Sequence, residues 1–144
     1  KDNPKMSASQ LTQETINFIA NNKINFLLLN YANPDLVGHS GDFEATKQAI
    51  EHLDSELKQL STFLLQEGYS IIVTADHGNC EEMMSENGDP MPSHTTNPVP
   101  FTILSTNTYE LKESGGLQDV APTVIELLGL QKPQEMTGNS LINN

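Results

Sequence analysis

Three short stretches hold donor residues suited to chemistry: Asp35-Leu36-Val37-Gly38-His39, Asp76-His77-Gly78-Asn79 and Ser93-His94-Thr95-Thr96. They take up three of the four histidines in the chain, so the grouping is more than a scatter of polar residues. Asp35 and His39 are four apart, a spacing that puts both side chains on one side of a helical turn, where they can share one ion. Asp76 and His77 are adjacent and would face opposite sides of a continuing strand; both reach one metal only if the chain turns there, as Gly78 permits. Taken singly, each donor has a structural alternative: Asp76 as a cap, Asp35 as a turn residue after Pro34, the histidines as partners of backbone groups. Five donors on one rim favour a metal centre. Oxygen and imidazole ligands without thiolate suit manganese or zinc, and a carboxylate-rich pair also accepts magnesium. Two such ions close together would clamp a phosphoryl group. The residues by themselves imply metal-assisted chemistry on an anion.

Such a centre requires elements that deliver all three stretches to one place. Ser7 and Gln10 form a capping box, with Met6 and Leu11 as a staple, and predict a first helix to about Asn21 with Leu11, Phe18 and Ile19 inward. Residues 24–30 are a nearly continuous apolar run too short for a typical helix, which reads as a strand buried on both faces and hence as part of a parallel sheet. After a loop over residues 31–41, Phe43, Ile50, Leu53, Leu57, Leu60 and Leu64 recur at helical spacing, with Gly68 as the stop and His52 on a solvated face. A second buried strand, residues 69–75, completes a right-handed βαβ unit. The two strand ends then share one sheet edge, which places Asp35 and Asp76 on the same rim. Residues 76–98 show no helical pattern beyond a turn over 81–85. The next strand, residues 99–105, is therefore expected antiparallel to its predecessor, starting late because of Pro100, and it returns His94 to that rim. A short helix over residues 119–128, capped by Asp119 and stopped by Gly129, precedes an irregular tail over 133–144. The fold class is α/β, a largely parallel sheet covered by helices, in one domain over residues 1–144.

Composition bounds the function. A chain of 144 residues with 36% hydrophobic content supports one core. A net charge of −12 excludes nucleic acid and anionic membranes as partners, because the long-range field repels phosphates. A phosphorylated substrate would need the field reversed locally, which bound divalent cations do. The single cysteine, Cys80, leaves no internal disulfide and no second thiolate for a zinc cluster, so it reads as a small loop residue in a reducing compartment. No apolar stretch approaches a membrane span and the N-terminus lacks the apolar core of a signal peptide, so the expected location is the cytoplasm.

Residues 30–41 (Asn-Tyr-Ala-Asn-Pro-Asp-Leu-Val-Gly-His-Ser-Gly), 74–79 (Thr-Ala-Asp-His-Gly-Asn), 94–100 (His-Thr-Thr-Asn-Pro-Val-Pro) and 116–123 (Gly-Leu-Gln-Asp-Val-Ala-Pro-Thr) resemble cofactor-independent phosphoglycerate mutase, a member of the alkaline phosphatase superfamily. The Asp-x-x-x-His and Asp-His-Gly patterns are common to that superfamily, whereas the Asn-Tyr-Ala-Asn-Pro-Asp and His-Thr-Thr-Asn-Pro-Val-Pro runs are far more specific to the mutase. The resemblance implies that Asp35, His39 and His94 hold one manganese ion and that Asp76 and His77 hold another. It implies interconversion of 3-phosphoglycerate and 2-phosphoglycerate through a phosphoserine, with the metals lowering the serine pKa and neutralising the transferring group.

The chain departs from the family pattern in one large respect. The resemblance assigns the nucleophilic serine, a further metal-binding aspartate and a glycerate-gripping inserted domain to an N-terminal part that these residues do not match. No serine here fits the nucleophile motif, so no catalytic residue is assigned, and the fold is expected to be an incomplete alkaline phosphatase-like domain that is inactive by itself. Two alternatives stand beside this: a non-catalytic metal-binding module that self-associates through exposed sheet surface, and another metalloenzyme of the superfamily, such as phosphopentomutase or a phosphatase.

Overall fold

Ser7 opens the first helix without using its hydroxyl. The computed structural model describes residues 3–143; α1 spans Ala8–Asn21, with Ser7 at φ −104 and ψ 17 and no side-chain cap. That backbone is not the extended geometry from which a cap oxygen reaches the next free amides. Backbone turns lead in instead, with the Met6 N–H donating to Asn3 O at 3.1 Å and the Ala8 N–H to Lys5 O at 3.2 Å. Met6, expected to be half of a staple, stands at φ 46 and is 39% exposed. The buried face of α1 is Ala8, Thr12, Thr15 and Ile19, while Phe18, expected inward, is exposed. Thr12 tolerates full burial because its hydroxyl is bonded to the Tyr31 hydroxyl at 2.7 Å.

Two helices follow, α2 over Asn33–Gly38 and α3 over Phe43–Gln66. Asp42 caps α3 by accepting the Ala45 N–H at 3.0 Å. The buried face of α3 is Ala45, Thr46, Ala49, Glu56, Leu60 and Leu64, whereas Phe43 and Ile50 are exposed. The predicted stripe is thus rotated at its N-terminal half, where small residues let α2 approach: Val37 packs on Ala45 and Ala49. The C-terminal half joins Leu60 and Leu64 to Ile19 of α1. Gly68 stops α3 as predicted, at φ +84, with the Gly68 N–H on Leu65 O at 3.1 Å and the Tyr69 N–H on Leu64 O at 2.9 Å.

β1 (Ile71–Thr74) pairs antiparallel with β2 (Phe101–Leu104), in register from Ile71↔Leu104 to Thr74↔Phe101. The antiparallel partner and its late start after Pro100 agree with expectation. The parallel pair does not form. Among the described residues β1 and β2 make the only sheet, and residues 24–30 carry no strand. A run is a strand only if a neighbouring backbone takes up its N–H and C=O groups, and a parallel-sheet strand is covered on both faces. Here Ile24 and Leu29 pack beside the Ile19–Leu60–Leu64 cluster, but Phe26, Leu27 and Leu28 are exposed, Leu28 at 81%. The described fold is α/β with a small antiparallel sheet.

A 3₁₀ turn (Leu117–Asp119) leads into α4 (Val120–Leu127). Asp119 holds the N-cap position of α4 as expected but makes no side-chain cap; its carboxylate accepts the Gly116 and Asn139 N–H groups, each at 2.8 Å, and so ties the tail to the loop. The tail is irregular yet packed: Leu141 and Ile142 are buried, Leu111 bridges Ile142, and the Leu141 N–H donates to Thr123 Oγ1 at 2.8 Å. Among the described residues no helix is long and apolar enough to cross a membrane.

One buried carboxylate sits between α1 and α3. Ser9 donates to Glu56 Oε1 at 2.6 Å, and His52 Nε2 lies 3.0 Å from Ser9 Oγ and 3.5 Å from Glu56 Oε1. His52 therefore faces α1 with its side chain 16% exposed, not the solvated surface predicted for it. The Ser9 hydrogen bond holds the Glu56 carboxyl below its ordinary value of 4.5 against the opposing effect of burial, helped by Thr12 and His52. A folded-state pKa below the unfolded one adds stability that is complete above the unfolded value and lost as pH falls through the folded one. The urea midpoint is expected to fall more steeply for the intact chain than for Glu56→Gln as pH drops below 4.5; identical slopes would refute the assignment.

Candidate metal centre

α2 exists to present one end of itself. Its start is pinned by Asn33, whose Nδ2 donates to Lys5 O at 2.7 Å and Pro4 O at 3.1 Å, and its flank by Val37 against α3. Asp35 lies in its first turn and His39 at its C-cap, where the His39 N–H closes on Asp35 O at 3.0 Å. The two side chains consequently meet, His39 Nε2 standing 3.3 Å from Asp35 Oδ1.

The loop after β1 and the loop before β2 meet as well. Beyond β1 and β2 the antiparallel pairing resumes at Gly78↔Thr95, where the Thr95 N–H donates to Gly78 O at 2.9 Å. In such a pair the residue before each partner lies diagonally on the same face. His77 and His94 occupy those positions, and their rings stack with centroids 3.6 Å apart. His94 Nε2 thereby comes to 3.0 Å from Asp35 Oδ1 and 2.9 Å from His39 Nε2. The donor atoms of Asp35, His39 and His94 all lie within 4.8 Å of one another. His77 Nε2 is 3.7 Å from Asp35 Oδ1 and 3.6 Å from Asp76 Oδ1. Asp76 stands at the margin, its side chain 84% exposed and in touch with His77 alone of these residues.

Tautomers give the cluster its direction. Pro92 O accepts from His39 Nδ1 at 2.6 Å and Gly78 O from His77 Nδ1 at 3.2 Å. A carbonyl can only accept, so both rings carry a proton on Nδ1, and in the neutral ring it is then the Nε2 lone pair that faces inward. Two Nε2 atoms 2.9 Å apart beside a carboxylate oxygen are a repulsive set of lone pairs until a proton or a cation lies among them. Imidazole nitrogens with a carboxylate oxygen, one imidazole fixed through its outer nitrogen, fit a divalent transition metal.

Neighbouring groups brace the loops. The Cys80 thiol donates to Pro34 O at 3.2 Å, and burial pushes its pKa up, with Glu81 and Asp35 adding to the effect. It stays protonated, whereas a metal-ligating sulfur is a thiolate, in keeping with its reading as a loop residue. Asn79 is buried behind Gly38, whose hydrogen occupies the only space its Oδ1 leaves, and its Nδ2 has no partner among the described residues. Glu81, which sequence reasoning placed only in a turn, links the two loops: its Oε2 accepts the Asn79 N–H at 2.6 Å, and its Oε1 accepts from Thr95 Oγ1 and from Asn97 Nδ2 at 3.1 Å. Nothing in the sequence separates Glu81 from Glu82 or Glu86; the one local signal is Gly78, where any Cβ would collide with Thr95 Oγ1 and Glu81 Oε1.

Comparison with known proteins adds to this geometry. The family model of the metalloenzyme superfamily matches residues 1–132. The 2,3-bisphosphoglycerate-independent phosphoglycerate mutase of Clostridium botulinum (strain ATCC 19397 / Type A) is 48% identical over 140 residues, covering 96% of this chain and 28% of its own length. Its counterpart from Gracilaria tenuistipitata var. liui is 44% identical over 142 residues, with the same coverage of 96% and 28%. Among solved structures, Leishmania mexicana phosphoglycerate mutase at low cobalt concentration superposes with a TM-score of 0.87 and 32% identity, over 99% of this chain and 29% of that one. The chain thus spans under a third of the length of the relatives it matches.

Proposed function

Because the chain belongs to the metalloenzyme superfamily, we propose that it is the metal-binding portion of a phosphoglycerate mutase that interconverts 3-phosphoglycerate and 2-phosphoglycerate. The observation that carries this reading is the convergence of Asp35 Oδ1, His39 Nε2 and His94 Nε2 from segments far apart in sequence. Identity of 44–48% to relatives that bear the mutase name supports it. Asp35, His39 and His94 hold one divalent ion, and Asp76 and His77 contribute to a second; manganese suits the donor set, with zinc and magnesium as competitors. Bound ions supply charge neutralisation for a phosphoryl group and lower the pKa of an attacking hydroxyl.

The chain's own residues do the rest. Pro92 and Gly78 carbonyls hold the His39 and His77 tautomers with Nε2 inward, and the stack of His77 on His94 joins the two half-sites. In a chain of net charge −12, these histidines and the cations they hold are where a phosphorylated anion is accepted. The nucleophilic serine and the parallel sheet that the resemblance implies would lie outside these residues, which cover 28% of the length of the Clostridium botulinum relative. Residues 1–144 are then one portion of a single phosphatase-like domain, acting in the cytoplasm.

Two measurements test this. Calorimetric titration of the folded chain with Mn2+ is expected to give about one ion per chain, since one site has all three of its ligands here; a folded chain that binds none overturns the reading. No mutase turnover is expected from the chain alone, and measurable turnover would show that a nucleophile lies within it.

A further inference from the structure

We propose that Glu81 is a positioning residue, whose carboxylate clasps the loop bearing His77 to the loop bearing His94 and so sets how the two imidazoles face Asp35. The inference rests on the metal reading of these histidines and names the group that holds them in place. His77 directly precedes Gly78 and His94 directly precedes Thr95, the two residues of the isolated bridge. That bridge contributes one backbone hydrogen bond, from the Thr95 N–H to Gly78 O at 2.9 Å. A lone bridge outside a ladder is a weak tether. The Glu81 carboxylate adds three acceptor contacts across the same gap: Oε2 takes the Asn79 N–H at 2.6 Å on one side, and Oε1 takes the Thr95 hydroxyl and Asn97 Nδ2 on the other, the latter at 3.1 Å.

Each partner adjoins the functional residues. Asn79 lies two residues beyond His77, and Thr95 and Asn97 lie one and three beyond His94. Thr95 Oγ1 also accepts the Asn97 N–H at 3.3 Å, so the His94 loop is folded on itself around the oxygen that Glu81 engages. Gly78 is required by the same arrangement, for a methyl group there would strike both Thr95 Oγ1 and Glu81 Oε1. Charge matters because all three contacts are donors meeting an anion, and charge-assisted hydrogen bonds are the strong ones. The Thr95 hydroxyl, more than any other partner, holds the Glu81 carboxyl below the usual glutamate range, so the clasp is ionised at neutral pH. Glutamine keeps one acceptor oxygen and turns an amide donor toward a donor, so it satisfies the partners only in part.

The test uses two readouts on the intact chain and on Glu81→Ala, Glu81→Gln and Thr95→Val, each checked for fold by circular dichroism. The first is proton NMR without metal: stacked imidazoles displace each other's ring-proton resonances, and that displacement is expected to collapse in Glu81→Ala and Thr95→Val and to shrink in Glu81→Gln. The second is Co2+ titration followed by visible absorption, where Glu81→Ala is expected to weaken binding by about 10–100-fold, as loss of outer-sphere support does, with a changed band shape and with Glu81→Gln in between. A generally loosened fold would alter the dichroism and not grade the variants in this order. Unmoved histidine resonances in folded Glu81→Ala or Thr95→Val overturn the clasp. An intact chain that binds no Co2+ overturns the metal reading, while the resonances still decide the role of Glu81.

Discussion

Asp35→Asn is expected to eliminate divalent-ion binding at the His39–His94 site. Asp35 Oδ1 is the one atom that all three inward imidazoles share, at 3.0 Å from His94, 3.3 Å from His39 and 3.7 Å from His77. Asparagine keeps the shape and the α2 geometry but loses the only charged ligand of the triad, leaving neutral donors to desolvate a divalent ion. Loss of a supporting group alone weakens metal sites by about 10–100-fold, so removal of this ligand should exceed about 100-fold and leave no measurable heat on Mn2+ titration. Asp76→Asn is the informative contrast. Its side chain is 84% exposed and reaches only His77, so the first ion should bind as before. Equal affinities for the intact chain and Asp35→Asn would sink the triad; equal losses for both aspartate variants would mean that the ions share one undivided site.

Part of the rim was readable in the sequence because it follows from element order: a loop without helical period and then Pro100 before a last strand imply an antiparallel partner that runs back toward the end of β1, which brings His94 beside His77. Asp35 joins them by another route than the parallel pair from which its place was inferred, through α2 packed on α3. The strand expected over residues 24–30 failed because apolar composition reports what a run would bury, not which backbone lies beside it; Leu28 is 81% exposed here. Ile19, Leu60 and Leu64 are buried as expected, but the rest of the inward faces of α1 and α3 was missed for another reason. Thr12, Thr15, Thr46 and Glu56 are buried through hydrogen bonds and close helix approach, and a hydrophobic stripe drawn from Leu, Ile and Phe cannot register them. Glu81 was unreadable because its importance lies in three partners that only tertiary structure assembles.

Leu60→Ala is expected to be the most destabilising single truncation in the chain, and metal should offset part of the loss. Leu60 is 5% exposed and joins Ile19 and Leu64 in the cluster on which Ile24, Leu29, Tyr69 and Ile71 also pack. It therefore connects α1, α3, the segment 24–30 and the start of β1. Truncation of a buried leucine costs about 2–5 kcal/mol, the upper part of the range where the surroundings cannot collapse into the cavity. Against a total stability of about 5–15 kcal/mol for an ordinary domain, that is enough to bring a chain with Phe26 and Leu28 uncovered close to unfolding. The proposed metal site lies at the other end of the sheet, packed through the separate Val37–Ala45–Ala49 cluster, so the substitution leaves the proposed ligands untouched. An ion that binds only the folded state restores about 2.7 kcal/mol at 100 times its Kd. Thermal melts of Leu60→Ala should accordingly rise toward the parent value with excess Mn2+, and the rise should vanish when Asp35→Asn is added. Recovery that persists in the double variant would place the stabilising ion somewhere other than the Asp35–His39–His94 triad.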